Sequence, residues 1–131
     1  MDKVSYIESL LDRIALQNTK IQHVRQMRHY AQKELGRHNM DADCDRVIAG
    51  YEEIQAQCAR EICKVDNRKT VRPRIACACL GTLSDQNATP AEKQVAAKRF
   101  TALNNVPIYF GRFNNRATIF RFLKQAERQY T

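Results

Sequence analysis

Four acidic residues, Asp41, Asp43, Asp45 and Glu52, have the spacing of calcium ligands in an EF-hand loop. The sixth position of such a loop requires glycine for a sharp turn, whereas this chain has Arg46 there, whose charge also opposes a cation. Acidic residues in the first turn of a helix stabilise the positive end of the helix dipole, which accounts for them without a metal. We therefore expect no calcium site.

The five cysteines are the other candidate metal ligands. Zinc could bind four thiolates, those of Cys58, Cys63, Cys77 and Cys79. The first two are five residues apart and the last two are two apart, and on a helix both spacings point the side chains in different directions. A zinc site would therefore require non-helical backbone. The odd number of cysteines fits reduced thiols better than a disulfide framework. We expect small core side chains, with neither a metal nor a cofactor.

The histidines and the motif content favour no catalytic chemistry. His23 and His29 are six residues apart, which places them on different faces of a helix, so they form neither a metal pair nor a dyad. The chain contains no glycine-rich phosphate loop, no HExxH and no serine in a nucleophile elbow. We expect a protein that is not an enzyme.

The distribution of charge is the most informative chemical signal. The 131 residues include 22 Lys and Arg against 14 Asp and Glu, a formal net charge of +8. Residues 1–65 contain ten of each sign, so residues 66–131, with twelve basic and four acidic side chains, carry the whole excess. This asymmetry predicts a neutral region for protein contacts and a basic region for a polyanion.

The strongest basic pattern lies in a predicted last helix, which Asn114 or Asn115 caps and which extends through Tyr130. One face of this helix is apolar, and the opposite face is a basic row with an aromatic ring at its edge. The basic row could bind the phosphates of a nucleic acid while the aromatic ring stacks on a base. The apolar stripe consists of Ile119, Phe122, Leu123, Ala126 and Tyr130.

Two further basic segments extend this predicted nucleic-acid site. Residues 64–74 have no apolar period and contain five basic residues, which predicts a linker or exposed arm, and residues 109–113 form an aromatic, basic loop. We expect the basic side chains to contact phosphates with little base specificity and Phe120 to offer a ring for stacking, with DNA and RNA equally open as the partner. The predicted nucleic-acid contacts are Arg68, Lys69, Arg72, Arg74, Arg112, Arg116, Phe120, Arg121, Lys124 and Arg128. The alternatives are that these cations serve solvation alone, or that they bind an acidic protein surface in an adaptor, inhibitor or structural subunit.

Helical periodicity predicts the elements that position these residues. A first helix spans residues 2 to about 35 and ends at Gly36 in the left-handed conformation. A second helix spans residues 41 to about 64, and the short loop between them predicts an antiparallel hairpin. The two apolar stripes are Val4, Ile7, Leu11, Ile14, Ile21, Val24, Ala31 and Leu35, and then Cys44, Val47, Tyr51, Ile54, Cys58 and Ile62.

The hairpin is also the predicted protein interface. Asn18 occupies a seam position between apolar residues, where a polar side chain can fix register or partner number. We expect docking on a partner protein or a second copy through Ile7, Leu11, Ile14, Asn18 and Ile21. Gly50, in the middle of the second helix, predicts close approach of a neighbouring backbone.

The remaining segments complete an all-α prediction. Residues 74–83 predict a short buried helix, and Thr89, Pro90 and Glu92 form a capping box that starts another helix ending near residue 103. The predicted fold is a long N-terminal antiparallel helical hairpin packed with about three shorter C-terminal helices. Residues 1–65 and 66–131 form two functional regions, within two domains or one compact domain.

The sequence also bears on location. It contains no apolar run of the length that a transmembrane helix requires, and its N-terminus mixes acidic with apolar residues, unlike a signal peptide. We expect a cytoplasmic or nuclear protein with no membrane partner.

Overall fold

The computed structural model describes residues 2–106, and within this range it contains helices and no strand. The helices are α1 (Lys3–Glu34), α2 (Asp41–Val65), α3 (Val71–Ser84), α4 (Pro90–Ala102) and a 3-10 helix, η1 (Leu103–Asn105). The all-α prediction is confirmed, and α1 and α2 pack as the predicted hairpin. The predicted last helix lies outside the described residues.

Local sequence signals define the helix ends. The Asp2 carboxylate accepts a hydrogen bond of 2.8 Å from the N–H of Ser5 and so caps α1. Gly36 ends that helix at φ +59°, a conformation that glycine adopts without a Cβ penalty. At α4, the Thr89 hydroxyl and the Glu92 carboxylate each accept the other residue's backbone N–H, which confirms the predicted capping box.

On α2, the residues that are buried against α1 differ from those of the predicted apolar stripe. Ile48 is buried against α1, whereas Val47, which the sequence placed in the stripe, is 44% exposed. Leu35, which directly follows α1 and which the sequence placed in the first stripe, is also half exposed. No heavy atom lies within 4 Å of a Cβ built on Gly50, so the predicted close approach does not occur within the described chain.

The main core occupies only one half of the hairpin. It is formed by the first half of α1, the end of α2, and α3, α4, η1 and Val106, so residues on both sides of position 65 share it. The other half of the hairpin, residues 19–54, which we call the distal arm, buries a separate set of side chains along the α1–α2 seam. Its buried apolar side chains are Ile21, Ala31, Cys44 and Ile48.

A layer of amide side chains marks the boundary between the core and the distal arm. The Gln55 side-chain N–H group donates to the Ile14 carbonyl at 3.1 Å and to the Asn18 Oδ1 atom at 2.6 Å. The Asn18 amide in turn donates to the Asn105 Oδ1 atom at 3.5 Å. A buried amide requires a hydrogen-bond partner, so the contacts of Gln55 favour one register of α1 on α2. The longer, exposed contact between Asn18 and Asn105 joins η1 to α1.

The connection between α2 and α3 is organised by the buried carboxylate of Asp66. It accepts hydrogen bonds from the backbone N–H groups of Thr70 at 3.0 Å, Val71 at 3.1 Å and Arg72 at 3.1 Å. These N–H groups belong to the start of α3, where a helix has no acceptors of its own. Asp66 therefore caps α3 from the end of α2.

The same carboxylate forms an ion pair with Arg72, whose side chain is 1% exposed. The Arg72 Nε–H group donates to Asp66 Oδ2 at 2.8 Å, and another guanidinium N–H group donates to the Asp66 carbonyl at 3.0 Å. The expectation that Arg72 contacts nucleic acid is therefore wrong, because its guanidinium is buried and donates to Asp66. Residues 64–74 are not a free arm, since Val71 already lies in α3.

The environment of Asp66 lowers its pKa. Burial on its own raises the pKa of a carboxyl group, but the N–H of Val71, the guanidinium of Arg72 and the two other backbone donors outweigh it and hold the pKa below its usual value. Asp66 is therefore ionised in the folded chain at neutral pH.

Replacing Asp66 with asparagine tests this pair. Asp66→Asn leaves the Arg72 charge buried without a counter-ion, so we expect the free energy of unfolding to fall by about 3–5 kcal/mol in urea titrations. The control is Asp43→Asn, which removes an exposed ion pair with Arg46 and should cost about 1 kcal/mol or less. Similar losses for the two variants would contradict the role assigned to Asp66.

The stabilisation by Asp66 should also depend on pH. Because the folded-state pKa is lowered, the contribution is complete above the unfolded-state pKa of about 3.9 and is lost as pH falls through the lower folded value. The difference in unfolding free energy between wild type and Asp66→Asn should therefore be constant near neutrality and shrink below about pH 4. A difference that stays constant into strong acid would show that ionised Asp66 is not its source.

Candidate nucleic-acid interface

The described residues include four of the ten predicted nucleic-acid contacts. Arg68, Lys69 and Arg74 lie around the turn between α2 and α3, and Arg72 is buried beneath them. The other six contacts lie outside the described residues: Arg112, Arg116, Phe120, Arg121, Lys124 and Arg128.

Four basic side chains surround the turn between α2 and α3. We use the name basic loop cluster for Lys64, Arg68, Lys69 and Arg74, of which Lys69 is partly buried and the others are exposed. Within residues 2–106, no carboxylate lies within ion-pair distance of any of these four side chains. Lys64 was not among the predicted contacts, although it begins the basic run at residues 64–74 that the sequence shows.

Helix geometry brings the cluster to one end of the helical bundle. Lys64 lies in the last turn of α2 and Arg74 in the first turn of α3, with Arg68 and Lys69 between them. Lys69 has φ +59° and its N–H donates to the Asp66 carbonyl at 3.0 Å. This left-handed position costs a non-glycine residue about 1 kcal/mol or more, so the Asp66 network must hold the turn in place.

The Asp66 network also determines how the cluster can bind an anion. The first N–H groups of a helix commonly bind phosphate, but at α3 three of them already donate to Asp66. Phosphate recognition here therefore depends on the side chains alone. The Arg72 guanidinium lies 2.8 Å from the Asp66 carboxylate and neutralises it. The negative charge of Asp66 therefore does not cancel the field of the four surface cations.

Arg99 is basic but is used within the fold. Its guanidinium contacts both carboxylate oxygens of Asp12, at 2.8 and 3.0 Å, and a carboxylate oxygen of Glu8 at 2.9 Å. The hydrogen bonds to Asp12 raise the pKa of Arg99. Arg99 falls within the apolar arc of α4 because it attaches that helix to α1, so it does not extend the basic surface.

The aliphatic residues predicted as a partner interface lie inside the chain instead. Ile7, Leu11 and Ile14 are fully buried and Ile21 is 5% exposed, because α2 and the α3–α4 layer cover this side of α1. The prediction that these four contact another protein is therefore wrong. Asn18 does occupy the seam, but its partners are Gln55 and Asn105 of the same chain.

The structure gives the cysteines no common site within the described residues. All five are free thiols, and residues 2–106 contain no group of three His, Cys, Asp or Glu side chains placed to hold a metal ion. Burial raises the pKa of Cys79 to about 11 and also raises that of Cys77. A raised pKa keeps these two thiols protonated and unreactive at neutral pH.

Two further findings bear on function. None of the helices in residues 2–106 combines the length and apolar character needed to cross a membrane. Comparison of the chain with protein-family models, with curated proteins and with solved structures finds no match.

The role of Arg99 can be separated from nucleic-acid binding. We expect Arg99→Gln to lower the free energy of unfolding by about 1 kcal/mol, a modest loss because water screens this partly exposed cluster. If the chain binds nucleic acid through the predicted contacts, affinity should stay within about twofold of wild type, since Arg99 is not one of them. Urea unfolding and a binding titration of the same variant check both statements, and a large loss of affinity would place Arg99 in the interface.

Proposed function

We propose that the protein is a small, non-enzymatic, helical nucleic-acid-binding protein, acting alone or as a subunit of a nucleoprotein complex. The observation that carries this proposal is the basic loop cluster, four cations at one end of the bundle with no carboxylate of residues 2–106 in ion-pair distance. Arg72 and Arg99, by contrast, bind carboxylates of the same chain. Scattered cations such as Arg25 and Lys33 also have no carboxylate partner within residues 2–106, so what supports the proposal is the grouping of four cations around one ordered turn.

Residues 107–131 add a second source of contacts. They contain five basic residues and one acidic residue, 5 − 1 = +4, interleaved with aromatic side chains. Arg112, Arg116, Arg121, Lys124 and Arg128 would contact phosphates, and Phe120 would stack on a base.

The proposed mechanism is neutralisation of phosphates with release of their counterions. Each contacted phosphate releases condensed cations, so affinity falls steeply as salt rises. Lysine and arginine side chains that contact only the backbone carry no sequence information. The protein should therefore bind many sequences with similar affinity.

The primary experiment is a fluorescence-anisotropy titration of labelled single-stranded and double-stranded DNA and RNA at two salt concentrations. We expect micromolar or tighter binding at low salt that weakens as salt rises. The absence of binding at low salt would overturn the proposal.

A triple variant tests the basic loop cluster. Arg68→Gln, Lys69→Asn and Arg74→Gln together remove three cations, and asparagine tolerates the left-handed backbone at position 69. We expect a loss of affinity of about tenfold or more and a salt dependence reduced by about two to three counterions.

The matched control removes the same charge elsewhere. Arg25→Gln, Lys33→Gln and Arg37→Gln replace exposed cations of the hairpin, so they should weaken binding far less than the cluster variant. Equal losses for the two triples would indicate a general effect of net charge. Reversal of Arg121, Lys124 and Arg128 to Glu should weaken binding with unchanged helicity by circular dichroism.

A further inference from the structure

The distal arm carries most of the apolar surface that the described chain leaves uncovered. Residues 2–106 expose seven large hydrophobic side chains, and six of them lie on the hairpin. Tyr30 is 58% exposed and Met27 is 49% exposed, although both lie within the long, regular helix α1. The six are Leu16, Met27, Tyr30, Leu35, Met40 and Val47.

The exposed side chains on α1 follow a second heptad seam. Steps of four and three residues relate its members, which are all exposed and lie along one side of the hairpin, where Lys20 is beside Tyr51 of α2. The seam that packs on α2 instead passes through Ile14 and Ile21. We call the second seam the outer face of α1, and it consists of Leu16, Lys20, His23, Met27, Tyr30 and Glu34.

The charges of the outer face are arranged symmetrically about Met27. Lys20 precedes Met27 by seven residues and Glu34 follows it by seven. If two copies of this helix pack antiparallel with the two Met27 side chains in contact, Lys20 of each copy lies opposite Glu34 of the other. The face is thus complementary to itself, as a two-fold interface requires.

We propose that the outer face binds a second copy of this chain and forms an antiparallel, two-fold symmetric dimer centred on Met27. Met27 and Tyr30 form the apolar centre, and two Lys20–Glu34 pairs flank it. This proposal is independent of nucleic-acid binding, because the basic loop cluster lies at the opposite end of the hairpin.

The charge of the outer face favours a second copy of this chain over a polyanion as its partner. The outer face has one lysine and one glutamate, so its formal charge is zero with His23 neutral. A surface without net charge does not attract a nucleic acid, whereas paired opposite charges around an apolar centre are typical of protein interfaces.

The size of the face is sufficient for a modest dimer once the adjoining surface of α2 is included. Tyr51 of α2 lies beside Lys20, and Val47, one turn before Tyr51, is 44% exposed, so the surface continues from α1 onto α2. From Leu16 to Glu34 the helix is roughly 27 Å long, and a face two helices wide measures about 20 Å across. Two such faces give roughly 1,100 Å² of total buried surface, near the lower end for specific complexes, so we expect a dissociation constant in the micromolar range.

A charge exchange on the full-length chain tests the dimer by sedimentation equilibrium. Lys20→Glu and Glu34→Lys should each weaken dimerisation by about tenfold or more, because each replaces two attractive contacts with two repulsive ones. The double variant should return to within about threefold of wild type. Positions 20 and 34 lie about 21 Å apart along one helix, so recovery reports pairing between copies.

The double variant also controls for a contact within the chain. The Lys20 ammonium lies 5.6 Å from the centre of the Tyr51 ring, and the double variant does not restore that contact. Recovery of the dimer therefore cannot come from the fold of the monomer. Arg25→Glu makes the same charge change on the other side of α1 and should leave the dimer unchanged.

Three results would each overturn the proposal. The first is a wild-type chain that stays monomeric at concentrations around 100 µM, well above the expected dissociation constant. The second is a double variant that dimerises no better than the single variants. The third is a dimer that survives Met27→Asp, with helicity by circular dichroism confirming that the variant is folded.

Discussion

The ion pair between Asp66 and Arg72 determines how the chain continues after the hairpin. A carboxylate and a guanidinium withdrawn from water cost several kcal/mol each, and only close geometry with further hydrogen bonds offsets that cost. Here Asp66 accepts from the first N–H groups of α3 as well as from Arg72, at 2.8 to 3.1 Å. The pair thus fixes the direction of α3, and with it the layer that completes the core and the turn that presents the surface cations.

The fold uses some of the basic side chains that a count along the sequence assigns to the surface. Among residues 66–106, Arg72 and Arg99 bind carboxylates of the same chain, so neither is available to an external anion. These pairs do not lower the net positive charge, since each also uses an acidic side chain, but they leave fewer cations for an external anion, and four of the remaining ones lie around one turn. Concentration matters more than the total, since screening by salt limits the reach of each charge to about 8–10 Å.

The helices and the capping box of α4 were predictable from sequence, as was the pairing of α1 with α2, whereas the register between the helices was not. Helical periodicity and caps depend on neighbours a few residues apart, which is why the ends of α1 and α4 were predicted closely. Val47 and Ile48 are both apolar and adjacent, and only the position of α1 decides which one is buried. The sequence likewise did not decide whether Arg72 is buried or exposed, although an aspartate six residues before it, at the end of α2, was an available signal.

The amide layer at Asn18 and Gln55 gives the hairpin a property that concerns its length. On one side of the layer the helices contact α3, α4 and η1 as well as each other, and on the other, among the described residues, they contact only each other. Adding or deleting one heptad in each helix beyond the layer would keep every seam residue in phase, because seven residues are two turns of a coiled coil. The distal arm is thus a segment that could be lengthened or shortened by whole heptads while the core and its charged turn keep their geometry.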